Sequence, residues 1–151
     1  MPFWRPRPIT VETVTPLLEK VLPGFGELFR GMSFQEIGTE SLNLLHESLN
    51  NSSATIRANS ARALGKLKSH LSTPYLLNLL QDEDARVRAN AAEALGFMQD
   101  KVSIEPLILR LQDNVEKVQD MAVEAIVQFG SPATVPLLNA LAREREKFSQ
   151  R

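Results

Sequence analysis

Shifted by 31 residues, the chain lies on itself without a gap. LNNSSATIRANSARALGKL (49–67), LQDEDARVRANAAEALGFM (80–98) and LQDNVEKVQDMAVEAIVQF (111–129) then share their columns. Ile56, Val87 and Val118 form one column, and Ser60, Ala91 and Ala122 the next. Leu64, Leu95 and Ile126 form a third, and Leu67, Met98 and Phe129 a fourth. These columns fall at i, i+4, i+8 and i+11, which is one stripe of an amphipathic helix. A fixed period of this size constrains the fold more than any single motif does. Each unit is one supersecondary piece with an apolar face that only a neighbouring unit can cover.

A shorter apolar segment separates each aligned helix from the next. STP stands before YLLNLL, SIEP before LILRL and SPATVP before LLNALA, so each offers a Ser or Thr N-cap and a proline in the first turn. Each unit is therefore a hairpin of a short A helix and a longer B helix, the B helices being the aligned segments. Small residues favour close stacking, with Ala58 and Ala89 in one column and Gly65 and Gly96 in another. Before the first repeat, Thr15-Pro16 starts a short helix, PGFG (23–26) breaks it, and SFQE (33–36) reads as a capping box opening the first A helix. The charged LAREREKFSQR at the other end reads as a solvated helix closing the stack.

The remaining composition narrows the chemistry. The 151 residues suit one domain, and 17 basic against 18 acidic side chains leave no basic excess for a polyanion. Nucleic acid is thus an unlikely partner. There is no cysteine, so disulfides, thiolate nucleophiles and cysteine-bound zinc are excluded. MPFWRPRPIT carries three prolines and no apolar run of a signal peptide, and no stretch approaches the roughly 20 apolar residues of a membrane span. A cytoplasmic protein is expected.

Pro74, Asp82, Val87 and Arg88 stand at the spacing of HEAT repeats, and DEDARVRANAAEALG resembles the HEAT-like repeats of the phycobilisome-lyase type, over about residues 39–142. The resemblance implies an all-α fold, an α-α superhelix (α-solenoid) of about three and a half HEAT-like hairpins with a helical N-terminal extension. Residues 1–38 would be an aromatic, proline-rich extension and cap, and residues 39–151 the array. It also implies a ladder between the turn Asp and the B-helix Arg. Here the Asp position reads Asn51, Asp82, Asp113 and the Arg position Arg57, Arg88, Gln119. Asp82 with Arg57 and Asp113 with Arg88 are the available pairs, and both arginines are expected to be frame residues.

In such repeats the B helices line the concave surface. Turning their apolar columns inward leaves four outward columns. These are Thr55, Arg86, Lys117; Ala58, Ala89, Asp120; Arg62, Glu93, Glu124; and Lys66, Phe97, Gln128. Mixed signs and one exposed aromatic suit a protein surface better than a phosphate track. Arg62, Lys66, Arg86, Glu93, Phe97, Lys117 and Glu124 are the candidate contacts. An ordinary solvated face is the competing reading. Phe3 and Trp4, between arginines on the proline-rich arm, are a second docking candidate. Capping of the open end, together with Phe25, Phe29 and Phe34, is the first-ranked role of that segment, ahead of partner docking and of peripheral lipid contact.

Catalytic and metal-binding constellations are lacking. His46 in an A helix and His70 in a B-to-A turn have no paired spacing and read as incidental. DED (82–84) lacks the glycine and distal glutamate of a calcium loop, and acidic residues at a helix start already answer its orphan N–H groups. No catalytic residue, metal or cofactor is expected. The leading expectation is a non-catalytic protein-binding adaptor or assembly factor. The alternative is a chromophore (bilin) lyase subunit or phycobiliprotein-handling factor, which needs little chemistry of its own if it only holds chromophore and acceptor together.

Overall fold

The computed structural model of the protein describes residues 34–150 together with Pro16, Lys20 and Val21, with side chains from residue 39 onward in the first helix. Among the described residues from 34 onward, seven α-helices follow one another: α1 (Phe34–Ser48), α2 (Ala54–Leu67), α3 (Thr73–Leu79), α4 (Ala85–Met98), α5 (Ile104–Arg110), α6 (Glu116–Phe129) and α7 (Thr134–Ser149). The odd-numbered helices are A helices and the even-numbered ones B helices. They make three hairpins and an unpaired fourth A helix, an α-solenoid with no strand among the described residues. Pro16, Lys20 and Val21 are helical, and Val21 joins the core. The expected roles of Phe3, Trp4, Phe25, Phe29, Phe34 and the capping box fall on side chains outside the described residues.

The B helices dominate the packing, α2 lying on α4 and α4 on α6, with each short A helix against its own B helix. The core follows the 31-residue columns. Leu64, Val87, Ala91, Leu95, Val118 and Ala122 are fully buried, with Leu76 and Leu107 entering from α3 and α5. One column departs from expectation. Ala58 and Ala89 are buried, and only Asp120 of that column faces outward. Periodicity places this column beside the outward stripe, but there a B helix meets the next B helix, and the small side chain lets them approach.

Gly65 and Gly96 mark the tightest part of that approach. A Cβ on Gly65 would sit 2.5 Å from Ala94 Cα, and one on Gly96 would sit 2.9 Å from Ala125 Cα. Backbone carbons cannot be that close, so these positions require a bare Cα. The B helices then end alike, with positive φ at Lys68, Gln99 and Gly130, the same column three times. The Lys68 and Gln99 N–H groups return to Gly65 and Leu95 carbonyls.

The A helices start differently from expectation. A 3-10 turn precedes each of α3, α5 and α7, at His70–Ser72, Lys101–Ser103 and Ser131–Ala133. Ser72 and Ser103 make no side-chain cap, because they are already in right-handed helical conformation. The turn satisfies the backbone itself, with Ser72 N–H donating to Ser69 O at 2.8 Å and Ser103 N–H to Asp100 O at 2.9 Å. The proline part of the expectation holds, with Pro74 the second residue of α3 and Pro106 and Pro136 the third of α5 and α7, all in the first turn.

Alanine is the better helix former by about 1 kcal/mol. Gly65→Ala should nevertheless destabilise the protein, by about 1–3 kcal/mol, because the added methyl pushes α2 away from α4. Urea unfolding followed by circular dichroism measures the difference. A gain in stability would show that the two helices are not held at this spacing.

Candidate functional site

Two arginines join the repeats. Arg57 donates through Nε and Nη2 to Asp82 Oδ2 and Oδ1 at 2.9 and 2.8 Å. Arg88 does the same to Asp113 at 2.9 Å on both arms. Such a planar fork on a carboxylate fixes orientation as well as distance. The remaining nitrogen of each arginine clamps the turn of its own repeat. Arg57 Nη1 donates to the Asn51 and Ser52 carbonyls, and Arg88 Nη1 to those of Asp82 and Glu83. Each guanidinium thus ties its own A–B turn to the turn of the next repeat. Both arginines and Asp113 are buried, as a frame role requires.

The departures from the ladder keep half of this arrangement. Gln119 Nε2 donates to the Asp113 carbonyl at 2.6 Å, so it clamps its own turn without reaching a further repeat. Asn51, Asp82 and Asp113 all accept a backbone N–H two residues ahead, from Ser53, Asp84 and Val115. An amide oxygen suffices for that turn, and charge is needed only where an arginine of the preceding repeat arrives. Arg110, which the sequence pattern did not single out, adds Nη1 contacts to the Leu80 carbonyl at 3.1 Å and to Asp113 at 3.5 Å.

Burial pushes the Asp82 and Asp113 carboxyls up. Hydrogen bonds from Arg57 and Arg88, backbone N–H donors and the arginine charges more than offset it, so both stand below the ordinary value of 3.8. An open cleft of about 410 Å³ runs along this edge, lined by Asp82, Arg88, Arg110 and Asp113 among others. The charged groups of the ladder are already spent on one another there, which makes the cleft a feature of the frame. Among the described residues no three of His, Asp and Glu are grouped to hold a metal ion.

The outward B-helix rows form the other candidate. Arg62, Lys66, Arg86, Lys117 and Glu124 are exposed, while Glu93 and Phe97 are half-buried. Phe97 is therefore not the freely exposed aromatic that periodicity suggests, since it stands at the edge of the buried arc. Two of the charges are engaged. Arg62 Nε lies 3.6 Å from Glu93 across α2 and α4, and Arg86 donates to Asp84, the side chain that caps α4. Sequence reasoning missed the column Asn59, Asn90, Met121, which is half-buried within the same face. Asn90 Nδ2 donates to the Ala58 carbonyl at 3.0 Å, adding a bond between B helices. The spacing from Arg86 to Glu93, with Asn90 between, could have revealed it.

His46 is not incidental. Its ring stacks on Tyr75 at 4.3 Å between centroids and 15° between planes, and Nε2 lies 2.9 Å from Ser72 Oγ. Partial burial lowers its pKa. Ser72 is fully buried, so the pair joins α1 to α3 and presents no nucleophile. The equivalent Ser103 hydroxyl has no partner, because Leu77 stands where the repeat pattern would place the histidine.

Arg88→Ala should cost about 3 kcal/mol, since it strands the buried Asp113 carboxylate and frees two turn carbonyls. Denaturant unfolding checks it, and a stability equal to wild type would remove Arg88 from the frame. The two carboxyls also set a pH dependence. Their folded-state pKa values are depressed, so their contribution is complete above about pH 4 and is lost as pH falls through the lower folded values. Unfolding midpoints compared at about pH 7 and about pH 3 should drop steeply for the wild type and less for Asp82→Asn with Asp113→Asn.

The geometry agrees with what the chain is similar to. The family model described as HEAT repeats matches residues 73–149, and that of the PBS lyase HEAT-like repeat matches residues 56–82. Over 37 residues, 24% of this chain, the sequence is 57% identical to molybdenum cofactor biosynthesis protein B of Staphylococcus carnosus and 51% identical to that of Bacillus subtilis. The chain spans only 22% of the length of either relative. The HEAT match takes in just over half of the residues and covers helices α3 to α7. With its three hairpins, its turn-clamping arginines and this match, the chain belongs to the HEAT repeat family.

Proposed function

We propose that the protein is a non-catalytic adaptor or assembly factor that binds another protein along the outward face of α2, α4 and α6. The observation that carries this reading is the face itself. Three helices present rows of side chains, and buried ion pairs and close glycine contacts hold those helices in register. A surface fixed in this way loses little freedom on binding. Its rows are mixed in sign. Thr55, Arg86 and Lys117 lie above Arg62, Glu93 and Glu124, and Lys66, Phe97 and Gln128 lie below. A phosphate backbone needs aligned cations, whereas a protein partner is matched by this mixture. Phe97 supplies an apolar anchor among them.

A second reading, a bilin lyase subunit or phycobiliprotein-handling factor, is favoured by the match of residues 56–82 to the PBS lyase HEAT-like repeat. The same face would then hold the protein acceptor, and chemistry would come from elsewhere in a complex.

Arg86→Ala, Glu93→Ala and Phe97→Ala together should abolish capture of the native partner in affinity purification from the source cell, with helical circular dichroism unchanged. Retained capture sinks the assignment of this face. Mixing the wild type with a linear tetrapyrrole separates the two readings, a spectral shift favouring the second.

A further inference from the structure

We infer that the outward face of α2, α4 and α6 takes a short protein segment whose charge reverses along its length, acidic over α2, apolar over α4 and basic over α6. This rests on the adaptor reading and adds the chemistry and orientation of what the face binds.

The order of charge across the three helices carries it. On α2 the outward side chains nearer the helix C-terminus are Arg62 and Lys66, both exposed, and Ala54–Leu67 contains no acidic residue. On α4 the same rows hold Glu93 and Phe97, both half-buried. On α6 the outward charges there are Asp120 and Glu124, exposed and about one turn apart. From α2 to α6 the surface therefore passes from positive to negative, with Phe97 as the apolar group between. Contacts across the helices show that the rows are in register. Arg62 Nε lies 3.6 Å from Glu93 Oε2, and Asn90 Nδ2 donates to the Ala58 carbonyl at 3.0 Å.

The charges are open to a partner. Arg62 and Glu93 keep 52% and 26% of their side-chain surface exposed, and an exposed pair of this kind is worth little, so a partner's carboxylate can replace Glu93 on Arg62. Lys66, Asp120 and Glu124 form no ion pair with the described residues. The row nearest the A–B turns has another order, with Thr55 neutral, Arg86 held by Asp84, and Lys117 next to Glu116 in sequence. The segment accordingly lies across the half of the face nearer the B-helix C-termini, where Phe97 stands.

Complementarity selects the occupant. Asp120 and Glu124 repel a polyanion, and Arg62 and Lys66 repel a polycation, which leaves a segment that carries both signs in separate blocks. Packed helix axes stand about 8–10 Å apart, so α2 to α6 spans about 16–20 Å, the reach of about five or six residues of extended chain. Charge arranged in this way fixes which end of the segment meets which helix.

A synthetic peptide of two glutamates, a Ser-Leu-Ser centre and two lysines, blocked at both ends, probes the face by fluorescence anisotropy on the full chain. It should bind, more weakly as salt rises, and the same residues with glutamate and lysine alternated should bind about tenfold less well. Arg62→Glu with Lys66→Glu should weaken the block peptide by a similar factor. Adding Asp120→Lys with Glu124→Lys should restore it, since all four side chains are exposed and the reversed face matches the same peptide turned round. A nitroxide on the glutamate end should broaden amide resonances of α2 in the wild type and of α6 in the fourfold variant. No binding, equal binding of the two peptides, or broadening at α6 in the wild type overturns the inference. Capture of the native partner that is lost with Arg86→Ala, Glu93→Ala and Phe97→Ala but indifferent to Arg62→Glu with Lys66→Glu strikes the charge order alone and leaves the adaptor reading standing.

Discussion

One guanidinium joining two turns is the contact on which the rest of this fold rests. Arg88 holds the carbonyls of its own A–B turn and, on its other edge, the carboxylate that begins the next. An apolar stripe alone is tolerant of sliding and rotation, since burial is non-directional. The bidentate pair is not tolerant, and it sets how each hairpin sits on the last. At the far end of the same helices the bare Cα atoms of Gly65 and Gly96 set the distance. Arg57 and Gly65 lie eight residues apart in sequence, roughly 12 Å along α2 at a rise of about 1.5 Å per residue. Each junction is therefore fixed near both ends, by charge at one and by close packing at the other.

Much of this was legible because a repeat multiplies every signal. The 31-residue offset exposes the buried columns and the glycine column together, while the ladder partners follow from the resemblance to HEAT repeats, and the pairs Arg57–Asp82 and Arg88–Asp113 are present. Local rules did less well where the neighbour, rather than the residue, decides. Ser72 and Ser103 look like N-caps by type, yet a preceding 3-10 turn answers the backbone first. Ala58 and Ala89 look outward by angle, yet a second helix lies there. His46 looks incidental, yet Tyr75, in the next A helix, stacks on it. In all three cases the deciding atom comes from another element of the fold.

The B-helix face carries a similar lesson for function. Its row positions were readable, but the internal pairs Arg62–Glu93 and Arg86–Asp84 were not, because they depend on rotamers and on a cap. These pairs are exposed and individually worth little. Their consequence is that Arg62 and Arg86 each have a carboxylate beside them, with Lys66 and Lys117 as the cations of this face outside those pairs.

Finally, α6 departs from its repeat in a concerted way. The arginine that would reach onward has become Gln119, which keeps its own turn and extends nothing. The glycine that would admit a neighbouring helix has become Val127, and the alanine beside it has become Asp120. Any one of these changes would weaken a further junction, and together they remove its ion pair, its close approach and its apolar flank. The outer side of α6 is therefore not shaped for the contact that α2 and α4 make.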